Sequence, residues 1–526
     1  MLITDILSDN AEKFKNDIAL VERDSINNNR FEITWEEFHN RSNKLANALI
    51  SNNISKGKSV IQLMTNCIDW LPVYFGILKT GSWVVPLNFR FSSMKINLCS
   101  ETSEAEVMIF GEEFIDRINE IKSDLDRFIK HYIFVGEEDK KPSFAIDIKD
   151  FINDAHGEDP GISLKEEEGA ALYFTSGTTG TPKAVLLSHE SLGFAAEVEH
   201  NHHGQTKNDN FLCIPPLYHT GAKMHWFGNF MVGATTVILK GVNPRCILEA
   251  VSEENISIVW LLVPWAHDIL IAIEDNEIDL NDYKLDQWRL MHIGAQPVPP
   301  SLINKWKKIF PHHSYDTNYG LTEASGPGCV HLGVENTHKV GAIGKAGYGW
   351  EAIVVDNDFN ELPGGETGEL VVKGPGVMME YYKNPEVTAE TIKDGWLLTG
   401  DMARTDESGF IWLVDRKKDV IITGGENIFP VEIEDYFMEN DKIHDIAVIG
   451  VPDTRLGEIV IAIIKQKNGR NLTEDEVMKF GENLPRYKKP KKIFFDDVPR
   501  NPTGKIEKPK LRRKYCGDPD NNVLYR

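Results

Sequence analysis

The chain is short of cysteine, of long apolar runs and of positive charge. Its six cysteines, Cys67, Cys99, Cys213, Cys246, Cys329 and Cys516, are scattered over 526 residues with no Cys-x-x-Cys pair. That pattern offers no thiolate zinc site or disulfide framework and fits a reducing compartment, each thiol being read as buried filler. No stretch approaches eighteen consecutive apolar residues, so no membrane-spanning helix or stable membrane association is predicted. The opening MLITDILSDNAEKFKND mixes acids into its first turns where a secretory signal needs a basic segment and an apolar core. The closing NNVLYR matches neither a peroxisomal address nor a prenylation box. The expected location is cytoplasmic. A net charge of -23 argues against nucleic acid or an anionic membrane as partner. That charge is uneven: from Lys417 onward 21 basic side chains face 19 acidic ones, so the deficit lies upstream. His200, His202 and His203 in EHNHHG are metal-ligand types, but no further ligand stands at a known spacing, and a solvated loop is expected.

What is present is enough for at least two domains. Residues 34–53 repeat apolar positions at helical spacing, SVIQLM reads as a buried strand and DWLPVYFGILKTG as a second helix. VVPLN, AEVMIF, HYIFV, TVIL and ISIVWLL continue as strands, which predicts an α/β chain with mixed sheets flanked by helices. Between AIVV and ELVV the turn-rich PGGETGE marks a small β-rich subdomain. After Arg416 the order becomes strand, helix, two strands, helix and strand, a compact α+β lobe. The predicted division is 1–415 for the large lobe, 416–418 for a hinge and 419–526 for a small mobile lobe.

The densest chemistry lies in YFTSGTTGTPK, residues 173–183. A solvated linker would not sit between the apolar LYF and VLL, and glycosylation does not fit the compartment. The phosphate loop of triphosphatases needs Gly-x-x-x-x-Gly-Lys-[Ser/Thr], whereas here the lysine follows Gly180 by three positions with Pro182 between. Glycines admit backbone N–H groups to an anion, hydroxyls add hydrogen bonds and Lys183 adds countercharge, so a polyphosphate is a natural guest.

Together with PLYHTGA, NYGLTEAS, LLTGDMARTDESGFIWLVDRKKDVIITGGENIFPVEIE and NPTGKIEK, in that order, the loop resembles the adenylate-forming superfamily of acyl-CoA synthetases, luciferases and peptide-synthetase adenylation domains. The resemblance covers essentially the whole chain. It implies ATP, Mg²⁺ and coenzyme A as cofactors, a small carboxylic acid as substrate, and two half-reactions: a carboxylate attacks the α-phosphate to give an acyl-adenylate, and a thiol then displaces AMP. A stand-alone enzyme loading a carrier protein is the same-fold alternative. The oligomeric state is left open, a homodimer among the options.

The resemblance assigns the triphosphate to Thr175, Ser176, Gly177, Thr178, Thr179, Gly180 and Lys183, and Mg²⁺ to Glu323 with Thr178. Thr322 is assigned to the α-phosphate. Gly294, Ala295 and Gln296 form one wall of the adenine slot, with Asn318, Tyr319, Gly320 and Leu321 opposite. Asp401 matches a ribose-binding acid and Arg416 an arginine beside it. Lys505 matches the lysine that offsets charge at the ester-forming oxygens. Lys418 falls at the hinge, and Gly424, Gly425 and Glu426 are implied to approach the pantetheine arm. Lys505, Glu323, Thr322 and Lys183 form the catalytic set.

For the acid, His219, Lys223, Trp226, Phe227, Trp265 and Gly326 are pocket candidates; core packing alone would explain the aromatics. Lys223 is set against the commoner case of a solvent-facing lysine. Gly320 stands where relatives of acetyl-CoA synthetase carry a tryptophan floor, so an open pocket and a medium-chain, branched or aromatic acid are expected in place of acetate.

Overall fold

The computed structural model describes residues 1–175, 182–294, 298–423, 426–467, 469–500 and 506–516. Their contacts divide the chain into two units, 1–352 with 372–397, and 353–371 with 398–526. The expected hinge, Arg416 to Lys418, lies inside the second unit, where strand Ile411–Arg416 passes into the 3-10 turn Lys417–Asp419.

In the first unit, strand Ser59–Leu63 pairs in parallel with Trp83–Pro86 and Val107–Gly111, and the latter with His131–Val135. Ser59–Leu63 and Val107–Gly111 are buried at every position. Strands covered on both faces carry continuous apolar runs, which is why SVIQL and VMIFG read as they do. The helices that alternate with these strands are set by local chemistry. Thr34 caps helix Trp35–Ser51, its hydroxyl accepting from the Glu37 N–H at 3.2 Å, and satisfies a donor the first turn would leave open. Phe38 of that helix meets Phe75 of helix Trp70–Lys79 edge to face, centroids 5.4 Å apart. Gly169–Thr175 and Lys183–Ser188 extend the same eight-stranded sheet as an antiparallel pair.

A second sheet of seven strands carries Leu290–Gly294 between Ile258–Leu262 and Ser314–Asp316, all parallel. A third, of three strands, contains the antiparallel pair Asn318–Leu321 and Gly326–His331. Helix His189–His203 packs on helix Thr220–Met231. It ends at Gly204, whose φ of +56° is the left-handed turn glycine accepts without strain. The EHNHHG stretch is therefore the last turn of a helix, not a solvated loop, and His203 is buried. The apolar residues on the helix face toward the core drag the last turn inward with them.

In the second unit, Ile443–Asp453 pairs with Gly457–Gln466, which is flanked by Ile421–Thr423 and Lys492–Phe495. Alternation decides the packing of this sheet. Ile446, Val448, Ala462 and Ile464 face one core with Ile433 and Phe437 of helix Pro430–Met438. Ala447, Ile449, Ile461 and Ile463 face a separate cluster with Leu511 of helix Lys508–Cys516. Lys508 joins the buried Glu434 at 2.9 Å and Arg512 joins Asp419 at 2.8 Å, fixing the last helix to the unit. Cys99, Cys213, Cys246 and Cys329 are buried and all six thiols are free, as filler should be. No helix among the described residues is long and apolar enough to cross a membrane.

Candidate active site

The two strands flanking the hydroxyl-rich loop are in register with Thr175 opposite Lys183. The loop thus leaves and re-enters the sheet at one point, and Lys183 opens a strand where a triphosphatase loop would open a helix. Ser176, Gly177, Thr178, Thr179 and Gly180 lie outside the described residues. Lys183 Nζ sits 4.6 Å from the centroid of the Tyr381 ring. Tyr381 reaches this place because the short strand Glu380–Tyr381 pairs with Val185 and Leu186. Its hydroxyl donates to Glu323 Oε1 at 2.8 Å, and the Glu323 carbonyl accepts from the Met378 N–H at 2.8 Å. Burial and the adjacent Glu323 both push the Tyr381 phenol pKa up, so it stays a donor. The sequence gave no sign of Tyr381, which lies outside every motif; only the fold inserts it between the two expected catalytic charges.

Gly294 ends its strand beside residues 317 and 318: a Cβ there would lie 3.9 Å from the Asn318 carbonyl oxygen and from Thr317 Oγ1. Ala295 and Gln296 lie outside the described residues. Tyr319 is buried opposite Val330. Leu321 precedes the 3-10 turn Thr322–Ala324, which places Thr322 and Glu323 on one tight bend. The bend is closed by Ser325 at φ +63°, its hydroxyl donating to the Gly376 carbonyl at 2.7 Å. The Asn318 amide points elsewhere, donating to His225 at 3.1 Å and Glu199 at 3.3 Å.

Gly320 requires a correction. A Cβ at this position would stand 1.9 Å from the Gly326 carbonyl oxygen and 2.7 Å from Pro327 Cα, both backbone. The glycine is there because two strands approach closely across an irregular register, and it does not mark an open pocket floor. Gly320→Ala is expected to destabilise the chain by about 1–3 kcal/mol, the cost of forcing backbone apart, measured by urea unfolding. Unaltered stability would return the residue to the pocket.

Lys223 is fully buried on helix Thr220–Met231 and not solvent-facing. It donates to the Tyr173 hydroxyl, which is 3.0 Å from the Tyr74 hydroxyl, and lies over the Tyr74 and Tyr173 rings. Burial drives its pKa well below the ordinary lysine range. The same helix sends Trp226 and Phe227 into the aromatic core, Trp226 lying 4.9 Å from Phe230. Gly326, at φ +107°, allows its strand to pass the helix: a Cβ would come within 3.2 Å of Thr220 and Met224. His219 caps the helix start, half-buried beside Tyr218, and Trp265 lies half-buried in the first turn of helix Val263–Glu274.

In the second unit Asp401 and Arg416 stand directly opposite across a hairpin, with Arg416 Nε 2.8 Å from Asp401 Oδ1. Asp401 is buried and Arg416 about half-exposed, so the pair adds ~1 kcal/mol or less to stability. Lys418 lies exposed in the following turn, and Glu426 is exposed at the start of strand Glu426–Ile428. Gly424, Gly425 and Lys505 lie outside the described residues.

Residues 7–382 match the AMP-binding enzyme family and residues 432–505 the AMP-binding enzyme C-terminal domain. The chain is 30% identical over 487 residues to the long-chain-fatty-acid–CoA ligase FadD13 of Mycobacterium tuberculosis, covering 92% of this chain and 93% of the relative. It is 30% identical over 489 residues to a feruloyl-CoA synthase of an Amycolatopsis species, covering 92% and 94%. Among solved structures, ATP-bound MatB of Rhodopseudomonas palustris superposes with a TM-score of 0.87 at 25% identity, over 98% of this chain and 99% of that one. With both domains matched, and a lysine, a carboxylate and a hydroxyl-rich hairpin gathered in the larger one, the chain belongs to the AMP-binding enzyme family and is an ATP-dependent, AMP-forming acid:CoA ligase.

Proposed function

We propose that the enzyme activates a medium-chain, branched or aromatic carboxylic acid, in the cytoplasm, with Lys183, Glu323, Thr322 and Lys505 as its catalytic set. The observation that carries this reading is Tyr381, which lies beneath Lys183 and donates to Glu323, so that a cation and a carboxylate flank the mouth of the hairpin loop. The substrate class follows the relatives, whose named acids are long-chain and aromatic.

Glu323 fits Mg²⁺: it is a hard oxygen donor, and one hydrogen bond to Tyr381 leaves further lone pairs for a cation. Bound there with Thr178, the ion would neutralise phosphate oxygens. The chain's own groups do the rest. Lys183 and the loop N–H groups hold the β- and γ-phosphates, Thr322 donates to the α-phosphate, and Tyr319 with Gly294, Ala295 and Gln296 receives the adenine. Asp401 and Arg416 take the ribose, and Lys505 stabilises charge as the carboxylate attacks and pyrophosphate leaves.

The domain roles are 1–415 for adenylation, 416–418 as hinge and 419–526 as the mobile lobe that presents Gly424, Gly425 and Glu426 to coenzyme A. Rotation at Lys418 between half-reactions lets one cavity serve both. Lys418→Pro, which restricts φ at that residue, is expected to spare adenylation and to slow thioester formation. Single-turnover measurement of each half separates the two, and an unchanged overall rate rejects the hinge.

The reading as a whole is tested by acid-dependent pyrophosphate exchange over a panel of carboxylates, repeated as AMP release with coenzyme A, pantetheine and a carrier protein as acceptors. Exchange with acetate alone would overturn the substrate class.

A further inference from the structure

Behind the strand that carries Tyr319, four segments of the first unit bring together Glu199, His203, His225, His292, Asp316 and His331, all buried. The hydrogen bonds among them fix which ring nitrogens carry protons. His225 Nδ1 faces the Gly221 carbonyl and must donate to it, so its Nε2 is an acceptor. His292 Nε2, 3.1 Å away, must therefore donate to that atom, which leaves His292 Nδ1 as a bare lone pair. His203 Nε2 lies 2.8 Å from Asp316 Oδ2 and donates to it, which leaves His203 Nδ1 bare in the same way. Glu199 spends Oε1 on the Asn318 amide at 3.3 Å and lies 3.4 Å from His331 Nε2 through the same oxygen.

Three atoms then remain with no hydrogen-bond partner among the described residues: Glu199 Oε2, His203 Nδ1 and His292 Nδ1. These residues form one group whose potential ligand atoms all fall within 4.8 Å of one another. Acceptors left facing one another in a buried site are costly unless something positive stands between them. Glu199 Oε2 and His203 Nδ1 are 3.3 Å apart, the edge of a tetrahedron with bonds of ~2.0 Å. Asp316 holds the far nitrogen of His203, the arrangement by which a carboxylate orients a metal-bound imidazole.

We propose that Glu199, His203 and His292 bind one divalent transition-metal ion of the zinc class, separate from the magnesium expected at Glu323. Two imidazoles and a carboxylate suit zinc or cobalt and disfavour magnesium, which seeks oxygen. The ion ties the end of helix His189–His203 to strand Leu290–Gly294, whose last residue is assigned to the adenine slot, so its role is to hold that strand in place.

The test uses the whole chain stripped with a chelator and freed of nucleotide, then given one equivalent of Zn²⁺ and desalted. Elemental analysis is expected to find about one zinc per chain, and zinc at a hundredfold over its dissociation constant should raise Tm by roughly 5 °C. Co²⁺ in place of zinc should give visible d–d absorption that zinc then bleaches. Glu199→Gln combined with His292→Gln should abolish retention, Asp316→Asn should weaken it about 10–100-fold, and His444→Ala, an exposed histidine of the other unit, should leave it unchanged. If the double variant does not fold, the cobalt spectrum and zinc content of the unaltered chain decide alone. Failure of that chain to retain zinc, or retention that survives the double variant, would make the cluster a hydrogen-bonded network closed by water and overturn the proposal.

Discussion

Replacing Glu323 with glutamine is expected to slow adenylate formation by about 10²-fold or more, because one preorganised charge at the site of phosphate chemistry is removed while the fold is kept. Glutamine still offers Tyr381 an acceptor oxygen at the same place, so the hydrogen bond at 2.8 Å survives and only the charge is lost. Two readouts identify the cause. Pyrophosphate exchange should fall and the Mg²⁺ concentration for half-maximal exchange should rise, since a weaker donor needs more ion to fill the site. Thioester formation from supplied acyl-adenylate involves no triphosphate and should change by less than about threefold. Tyr381→Phe is the matched control: it keeps the carboxylate and removes its partner, and should cost much less. Exchange within about threefold of the unaltered enzyme after Glu323→Gln would remove Glu323 from the catalytic set.

Lys505→Ala is expected to have an effect of similar size on adenylation and almost none on the second half-reaction. A cation delivered to the oxygens that become the mixed anhydride matters while pyrophosphate leaves and has no task when a thiol displaces AMP. The comparison is made in single turnovers, first from acid and ATP, then from acyl-adenylate and coenzyme A. Equal loss in both halves would point to damage to the small lobe in general, and the role would fail.

Much of the fold was legible because buried parallel strands carry unbroken apolar runs and the helices between them carry caps. Ser59–Leu63, Val107–Gly111 and Trp35–Ser51 stand where periodicity puts them. The catalytic positions were legible for another reason: Thr175, Lys183, Thr322 and Glu323 sit within short contiguous motifs, so spacing along the chain substitutes for spacing in three dimensions. Where a property depends on residues remote in sequence, that substitution fails. Lys223 reads as a surface lysine until Tyr74 and Tyr173 close over it. Gly320 reads as a missing side chain until the backbone of Gly326 occupies the space. The histidines of EHNHHG read as a loop because the second and third ligand sources lie at positions 292 and 316, too far along the chain for any motif to hold.

The opposed pair Asp401 and Arg416 bears on turnover. In the absence of guest each already answers the other, so a sugar arriving between them exchanges one set of contacts for another and exposes no naked charge on the way out. A catalyst that must discard AMP after every cycle is served by a cradle that heals itself, because re-formation of the ion pair helps expel the spent nucleotide.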